Sequence, residues 1–284
     1  MSVRAARLGR RAGLGLLAAG LVGAAGCSPA DLLNATVSRD GYDLLADQPY
    51  GPESRQTLDL YRPRTPRPDG KAVVFFYGGS WDSGAKGDYR FVGQALAARG
   101  FAVVIADYRL YPEVRFPAFV ADGAQAVRWA ADRLGAERLF VMGHSAGAQI
   151  ASLLMADTDY LGAAGVDRLR LRGLIGLSGP YDFLPLTSPR LIEIFGGANN
   201  RAIQAISFAR APLPPSLLIH GLADRTVLPR NSVNLAEAWR RSGAAAELRL
   251  YPGVGHAEVV AAFADLLDGR APTRRNVVAW MDAT

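Results

Sequence analysis

The stretch Leu139-Phe140-Val141-Met142-Gly143-His144-Ser145-Ala146-Gly147 decides the fold. Leu139–Met142 is a continuous apolar run, as expected of a strand buried on both faces. Behind the last glycine, Ile150, Leu153 and Leu154 repeat at helical spacing. Between strand and helix stands Gly-x-Ser-x-Gly. A turn this tight holds its serine in a strained backbone conformation, and small residues two positions either side let strand and helix approach without clashing. The serine hydroxyl then stands above the strand end, beside helix amides that favour negative charge. Ser145 is therefore the candidate nucleophile; the alternative is a glycine-rich strand-to-helix turn without chemistry.

The same alternation continues outward. Ala72–Tyr77, Ala102–Ala106, Leu171–Leu177, Ser216–His220 and Glu247–Tyr251 are further candidate strands. Val120, Ala124, Val127, Ala131 and Leu134 repeat at helical spacing, as do Val259, Phe263, Leu266 and Leu267. The pattern predicts a mostly parallel sheet with helices on both faces, and active sites in such sheets lie beyond the carboxyl ends of the strands. The long stretch 179–215 shows no clear strand. It is expected to be either a small helical cap over a pocket or a plain crossover.

A serine needs a base to take its proton. The chain has three histidines. His144 adjoins Ser145 and is expected to point elsewhere, and His220 ends a candidate strand and is expected to brace its loop. His256, in Gly253-Val254-Gly255-His256, follows the last candidate strand and is the candidate base. Asp224, in His220-Gly221-Leu222-Ala223-Asp224, is the preferred acid to orient that histidine, with Asp182 as runner-up. After Ala72–Tyr77 comes Gly78-Gly79-Ser80-Trp81, a turn able to aim amides at an oxyanion; Ala146 is expected to donate another. A phosphate loop is excluded there, because Ala85 rather than glycine precedes Lys86.

Composition narrows the remaining classes. The 284 residues carry a net charge of +6, but Arg4, Arg7, Arg10 and Arg11 supply four of those charges in a segment without acids. The residual excess is too small to argue for nucleic acid. The single cysteine, Cys27, excludes an internal disulfide and a cysteine-based zinc site. No metal and no cofactor are expected. After the arginines, 12–26 contains only Ala, Gly, Leu and Val, too short to span a membrane but suited to a signal peptide. Ala24-Ala25-Gly26-Cys27 resembles a bacterial lipobox, in which the cysteine receives lipid. An ordinary signal peptide cut nearby is the alternative. The expected organisation is a lipoprotein-type signal over 1–26, a tether over 27–42 and one domain over 43–284. An exported bacterial protein, held to a membrane of the cell envelope through Cys27, is the expected location.

Across nearly the whole mature chain these features resemble the α/β-hydrolase superfamily. The nearest branch looks like esterases of the hormone-sensitive-lipase-like and bacterial ferulate-esterase-like groups. The matching segments are Tyr50-Gly51 with Leu58-Asp59-Leu60-Tyr61, Tyr77-Gly78-Gly79-Ser80-Trp81, Asp107-Tyr108-Arg109-Leu110-Tyr111-Pro112-Glu113, the Ser145 turn, and the Asp224 and His256 loops. The resemblance implies an α/β-hydrolase fold with at most a small cap, and a Ser145–His256–Asp224 triad in that superfamily's chain order. It also implies an oxyanion hole from the amides of Gly79, Ser80 and Ala146. Tyr77 stands where the family usually has histidine. A small-molecule carboxylic ester is the expected substrate, with Trp81, Tyr111, Phe116, Tyr181 and Phe183 as candidate pocket or core residues. An arylformamidase- or peptidase-like amide hydrolase and a catalytically silent, lipid-anchored binding protein are the alternatives.

Overall fold

The computed structural model describes residues 29–210 and 212–284. The expected export signal and Cys27 lie outside them. Eight strands form one sheet: β1 (Tyr42–Pro49), β2 (Thr57–Pro63), β3 (Ala72–Phe76), β4 (Ala102–Ala106), β5 (Leu139–His144), β6 (Gly173–Leu177), β7 (Ser216–Gly221) and β8 (Ala246–Tyr251). Their order is β1-β2-β4-β3-β5-β6-β7-β8. Pairing is parallel from β4 through β8, while β2 runs antiparallel to both β4 and β1. Every residue of β3, β5, β6 and β7 is buried, the physical counterpart of their unbroken apolar sequence.

The helices are α1 (Pro29–Ala35), α2 (Arg90–Ala97), α3 (Ala118–Leu134), α4 (Ala146–Ala156), α5 (Thr158–Ala163), α6 (Pro189–Phe195), α7 (Arg230–Arg241), α8 (His256–Ala261) and α9 (Thr273–Ala283). The β3-to-β4 crossover runs toward one sheet edge and the β4-to-β5 crossover toward the other. Right-handed crossovers therefore put α2 and α3 on opposite faces. The direction changes beside β3, so the loops after β3 and β5 open into the same crevice.

Three sequence expectations change. β1 and β2 were not anticipated as strands: β1 buries a single residue, and its register shifts between Leu45 and Gln48, which erases a period-two pattern. Within the expected 27–42 tether, residues 29–35 form a helix, α1, that is docked on the domain. Asn34 donates to the Gly87 carbonyl (2.8 Å) and accepts from the Phe91 amide (3.2 Å), while Leu33 and Val37 pack on the core. The helix expected through Leu267 stops at Ala261. Arg274 takes the Phe263 carbonyl (3.2 Å) and pairs with Asp265 and Asp268, which turns the chain and leaves Leu266 exposed.

Candidate active site

The glycines around Ser145 are required by contact. A Cβ at Gly143 would lie 2.2 Å from the Gly147 carbonyl oxygen, and one at Gly147 would lie 2.1 Å from that of Phe76. β5, α4 and β3 can meet only because those carbons are missing. Ser145 itself takes φ 53°, ψ −120°, a conformation L-residues avoid, and its amide donates to the Leu177 carbonyl of β6 at 2.9 Å.

Strand ends far apart in sequence bring the partners together. Ser145 Oγ lies 2.9 Å from His256 Nε2, and His256 Nδ1 lies 2.7 Å from Asp224 Oδ2. A carboxylate only accepts, so Nδ1 carries the proton and Nε2 accepts from the serine hydroxyl. Asp224 is buried after β7. Burial alone would raise its carboxyl, but donors from His220, His256 and the Val227 amide outweigh it and hold the group well below the usual carboxylate range. The Thr226 and Val227 amides both donate to Oδ1 at 2.9 Å. The runner-up Asp182 is engaged elsewhere: its carboxylate accepts from Asn234 at 2.7 Å.

His144 does not simply point away. Its Nε2–H donates to the backbone carbonyl of His256 at 3.3 Å, and the two rings lie 4.9 Å apart. Burial first, then the neighbouring His256, push its pKa down to about 3, so it is neutral near pH 7.

Ser80 and Ala146 line a cavity of about 340 Å³ together with Ser145. Gly79 forms the bend of the same turn. Its φ of +139° and the 2.2 Å that a Cβ there would leave to the Ser83 carbonyl make it the bend of the turn, and its own carbonyl accepts from the Asp82 and Ser83 amides. Tyr77 holds this turn from beneath. Its phenol donates to Asp107 and accepts from Arg55, both at 2.8 Å, and Arg55 also donates to the Gly84 carbonyl at 2.9 Å. The phenol thus anchors the turn where the resemblance led one to expect histidine.

Trp81 and Phe183 line the cavity, stacked with ring centroids 6.4 Å apart. Three of the candidate pocket or core residues do not. Tyr181 is fully buried, its ring packed where side chains at Gly176 and Gly179 would clash. Tyr111 lies outside the lining, with Arg190 over its ring at 5.6 Å. Phe116 packs against Phe119 and Phe195. The crossover between β6 and β7 instead supplies Pro185, Leu186 and Leu191, and the loop after Asp224 supplies Val227 and Leu228. α6 and its flanking turns are therefore a wall of the site as well as a connection. Hydrophobic runs in that segment were the available sequence signal, but they do not say which side faces the cavity.

The BD-FAE family model matches residues 58–239. The isoprenylcysteine alpha-carbonyl methylesterase ICME of Arabidopsis thaliana is 29% identical over 237 residues, covering 74% of this chain and 56% of that one. The esterase LipC of Mycobacterium tuberculosis is 28% identical over 266 residues, covering 82% and 63% respectively. The chain thus spans little more than half the length of the methylesterase and under two thirds of LipC. Among solved structures, Thermogutta terrifontis esterase 2 phosphoramylated by tabun aligns with a TM-score of 0.69 at 26% identity, covering 87% of this chain and 96% of that one. Together with the sheet order and the strained serine turn, these matches establish an α/β-hydrolase fold, and the chain belongs to the BD-FAE family.

Proposed function

We propose that the protein hydrolyses carboxylic esters of small molecules, with Ser145 as nucleophile, His256 as general base and Asp224 as the orienting acid. The observation that carries this reading is the unbroken hydrogen-bonded run from Ser145 through His256 to buried Asp224, opening into the cavity lined by Ser80, Trp81 and Ala146. Esterase relatives support it.

Ser145 Oγ attacks the ester carbonyl carbon while its proton passes to His256 Nε2. The amides of Gly79, Ser80 and Ala146 receive the developing oxyanion, and Gly79 also shapes the turn that presents Ser80. Such donors are each worth about 3 kcal/mol of barrier in serine hydrolases. The imidazolium is stabilised by Asp224 and returns its proton to the departing alcohol. Water, deprotonated by the same nitrogen, then attacks the acyl-enzyme, and the acid leaves as Ser145 regains its proton.

The test is hydrolysis of p-nitrophenyl esters of increasing acyl length by residues 28–284, beside Ser145→Ala. Turnover by the wild type and none by the folded variant supports the reading. A folded wild type that neither turns over these esters nor reacts with a fluorophosphonate at Ser145 overturns it in favour of a binding protein. Faster turnover of a formanilide than of its matched ester would favour the amide hydrolase. Export and lipid anchoring at Cys27 form part of the same proposal. A mature protein whose mass shows no lipid on Cys27 would remove the anchor.

A further inference from the structure

All three histidines of the chain meet around the triad. His220, fully buried at the end of β7, has both ring nitrogens engaged. Nε2 lies 2.9 Å from the Val227 carbonyl oxygen and 3.1 Å from Asp224 Oδ2, while Nδ1 lies 2.7 Å from Ser232 Oγ on α7. Both Nε2 partners only accept, so this nitrogen carries the hydrogen, and bare Nδ1 accepts from the Ser232 hydroxyl. The tautomer is set from the Nε2 side, and the Ser232 hydroxyl can adapt to it.

We propose that His220 is a positioning residue for the reaction: held by Ser232 and Val227, it shares its Nε2–H between the Val227 carbonyl and the same oxygen of Asp224 that receives His256, and so steadies that carboxylate. The inference rests on the hydrolase reading above. Asp224 Oδ1 is committed to two amides; Oδ2 accepts the His256 N–H at 2.7 Å and shares the His220 N–H, 3.1 Å away, with the Val227 carbonyl. A carboxylate bound on both oxygens cannot rotate when His256 takes and returns the serine proton. Sharing Oδ2 also tempers the negative charge that His256 feels. The other ionisable neighbour of His256, His144, stays neutral and so leaves that balance to Asp224 and His220. The arrangement joins β7, α7 and α8 through one line of side chains, Ser232–His220–Asp224–His256–Ser145.

His220→Gln and His220→Leu separate positioning from packing. Glutamine offers an N–H near the place of Nε2; leucine offers none. With p-nitrophenyl butyrate, His220→Leu is expected to lose ~10- to 100-fold in kcat with KM within about 2-fold, the scale on which outer hydrogen-bond partners of site histidines act. Its acid limb of kcat/KM should move to higher pH, because Oδ2 left with one donor holds a proton on His256 more firmly. His220→Gln should recover most of kcat and the wild-type limb. Equal losses in both variants, an unmoved acid limb, or full activity in His220→Leu would overturn the proposal.

A readout independent of turnover is the downfield proton resonance of the His256 Nδ1–H bonded to Asp224. It should shift in the leucine variant and remain in place in the glutamine variant. If the wild type cleaves no ester while this behaviour holds, the ester reading fails and the positioning stands. Should His220→Leu not fold, Ser232→Ala decides. Loss of the hydroxyl that steadies Nδ1 should lower kcat about 3-fold and shift the resonance; no change in either would overturn the proposal.

Discussion

Two buried aspartates stand just past the carboxyl ends of strands, and they are satisfied in opposite ways. Asp107, after β4, lies among permanent cations: Lys86 Nζ is 3.5 Å away and Arg55 is 3.6 Å away, with the Tyr77 phenol and the Lys86 amide donating at 2.8 Å. Asp224, after β7, has no arginine or lysine partner among the described residues and meets two imidazoles and two amides. Fixed cations neutralise a buried carboxylate and clamp the segments that carry them. Imidazoles satisfy it while leaving one ring free to gain and lose a proton. The first cluster holds the turn that presents Ser80; the second is built for proton transfer.

That contrast breaks most sharply in the acids themselves. Asp224→Asn should leave the fold intact but lower kcat ~10⁴-fold, because an amide favours the wrong histidine tautomer. Steady-state kinetics beside circular dichroism check this. Asp107→Ala should do the reverse, costing about 3 kcal/mol of stability by removing the carboxylate that faces Arg55 and Lys86, although Arg55 keeps its bonds to Tyr77, Gly84 and Tyr108. Lys86 keeps Asp47 at 2.6 Å, which sets the expectation at the low end for a broken buried pair. Urea unfolding measures it; a kcat loss as deep as that of Asp224→Asn in folded protein would erase the distinction.

The histidine side also predicts an acid-sensitive stability. The unfolded chain protonates His144 near pH 6.5, whereas burial keeps it neutral in the fold down to about pH 3. The unfolded state therefore binds more protons across that window. His144 adds no penalty above it, and stability falls by ~1.4 kcal/mol per pH unit as the pH drops through it. His144→Gln should flatten that slope in unfolding experiments between pH 4 and 6. A slope identical to wild type would show that other groups carry it.

Smaller effects sharpen the Asp107 side. Tyr77→Phe removes the phenol shared by Asp107 and Arg55 and should cost about 2 kcal/mol of stability, the scale of a hydrogen bond to a charged group. It should also lower kcat more than it changes KM. Asp182→Asn is expected to change kcat by less than about 2-fold, because that carboxylate is bound to Asn234 and lies outside the Ser145–His256 run. A large loss of kcat there would reopen the choice of acid.

How far the sequence is legible follows the same division. The central strands could be read because burial on both faces leaves unbroken apolar runs, and β5, β6 and β7 are buried throughout. β1 could not, because this outer strand is largely exposed and its register slips; β2 is mostly buried, but Asp59 and Arg62 interrupt its apolar run. Of the five aromatics read as pocket or core, Trp81 and Phe183 line the cavity, while Tyr111, Phe116 and Tyr181 do not. An aromatic residue carries the same chemistry in a core, at a rim or in a pocket.

By itself the sequence determined the strand-turn-helix around Ser145. Gly143 and Gly147 are contiguous with it, and the clashes they avoid are local to that turn and the strand beneath it. It also determined the chain order of serine, acid and histidine. The sequence preferred Asp224 to Asp182, and the tertiary structure brings Asp224 to His256; that structure alone places His220 and His144 against the other histidine and its acid. It also decided that Tyr181 is core while Leu186 and Leu191 are cavity wall. The physical reason is range. Backbone sterics act within a few residues, whereas hydrogen-bond partners and cavity walls are chosen where crossovers bring side chains together from distant parts of the chain.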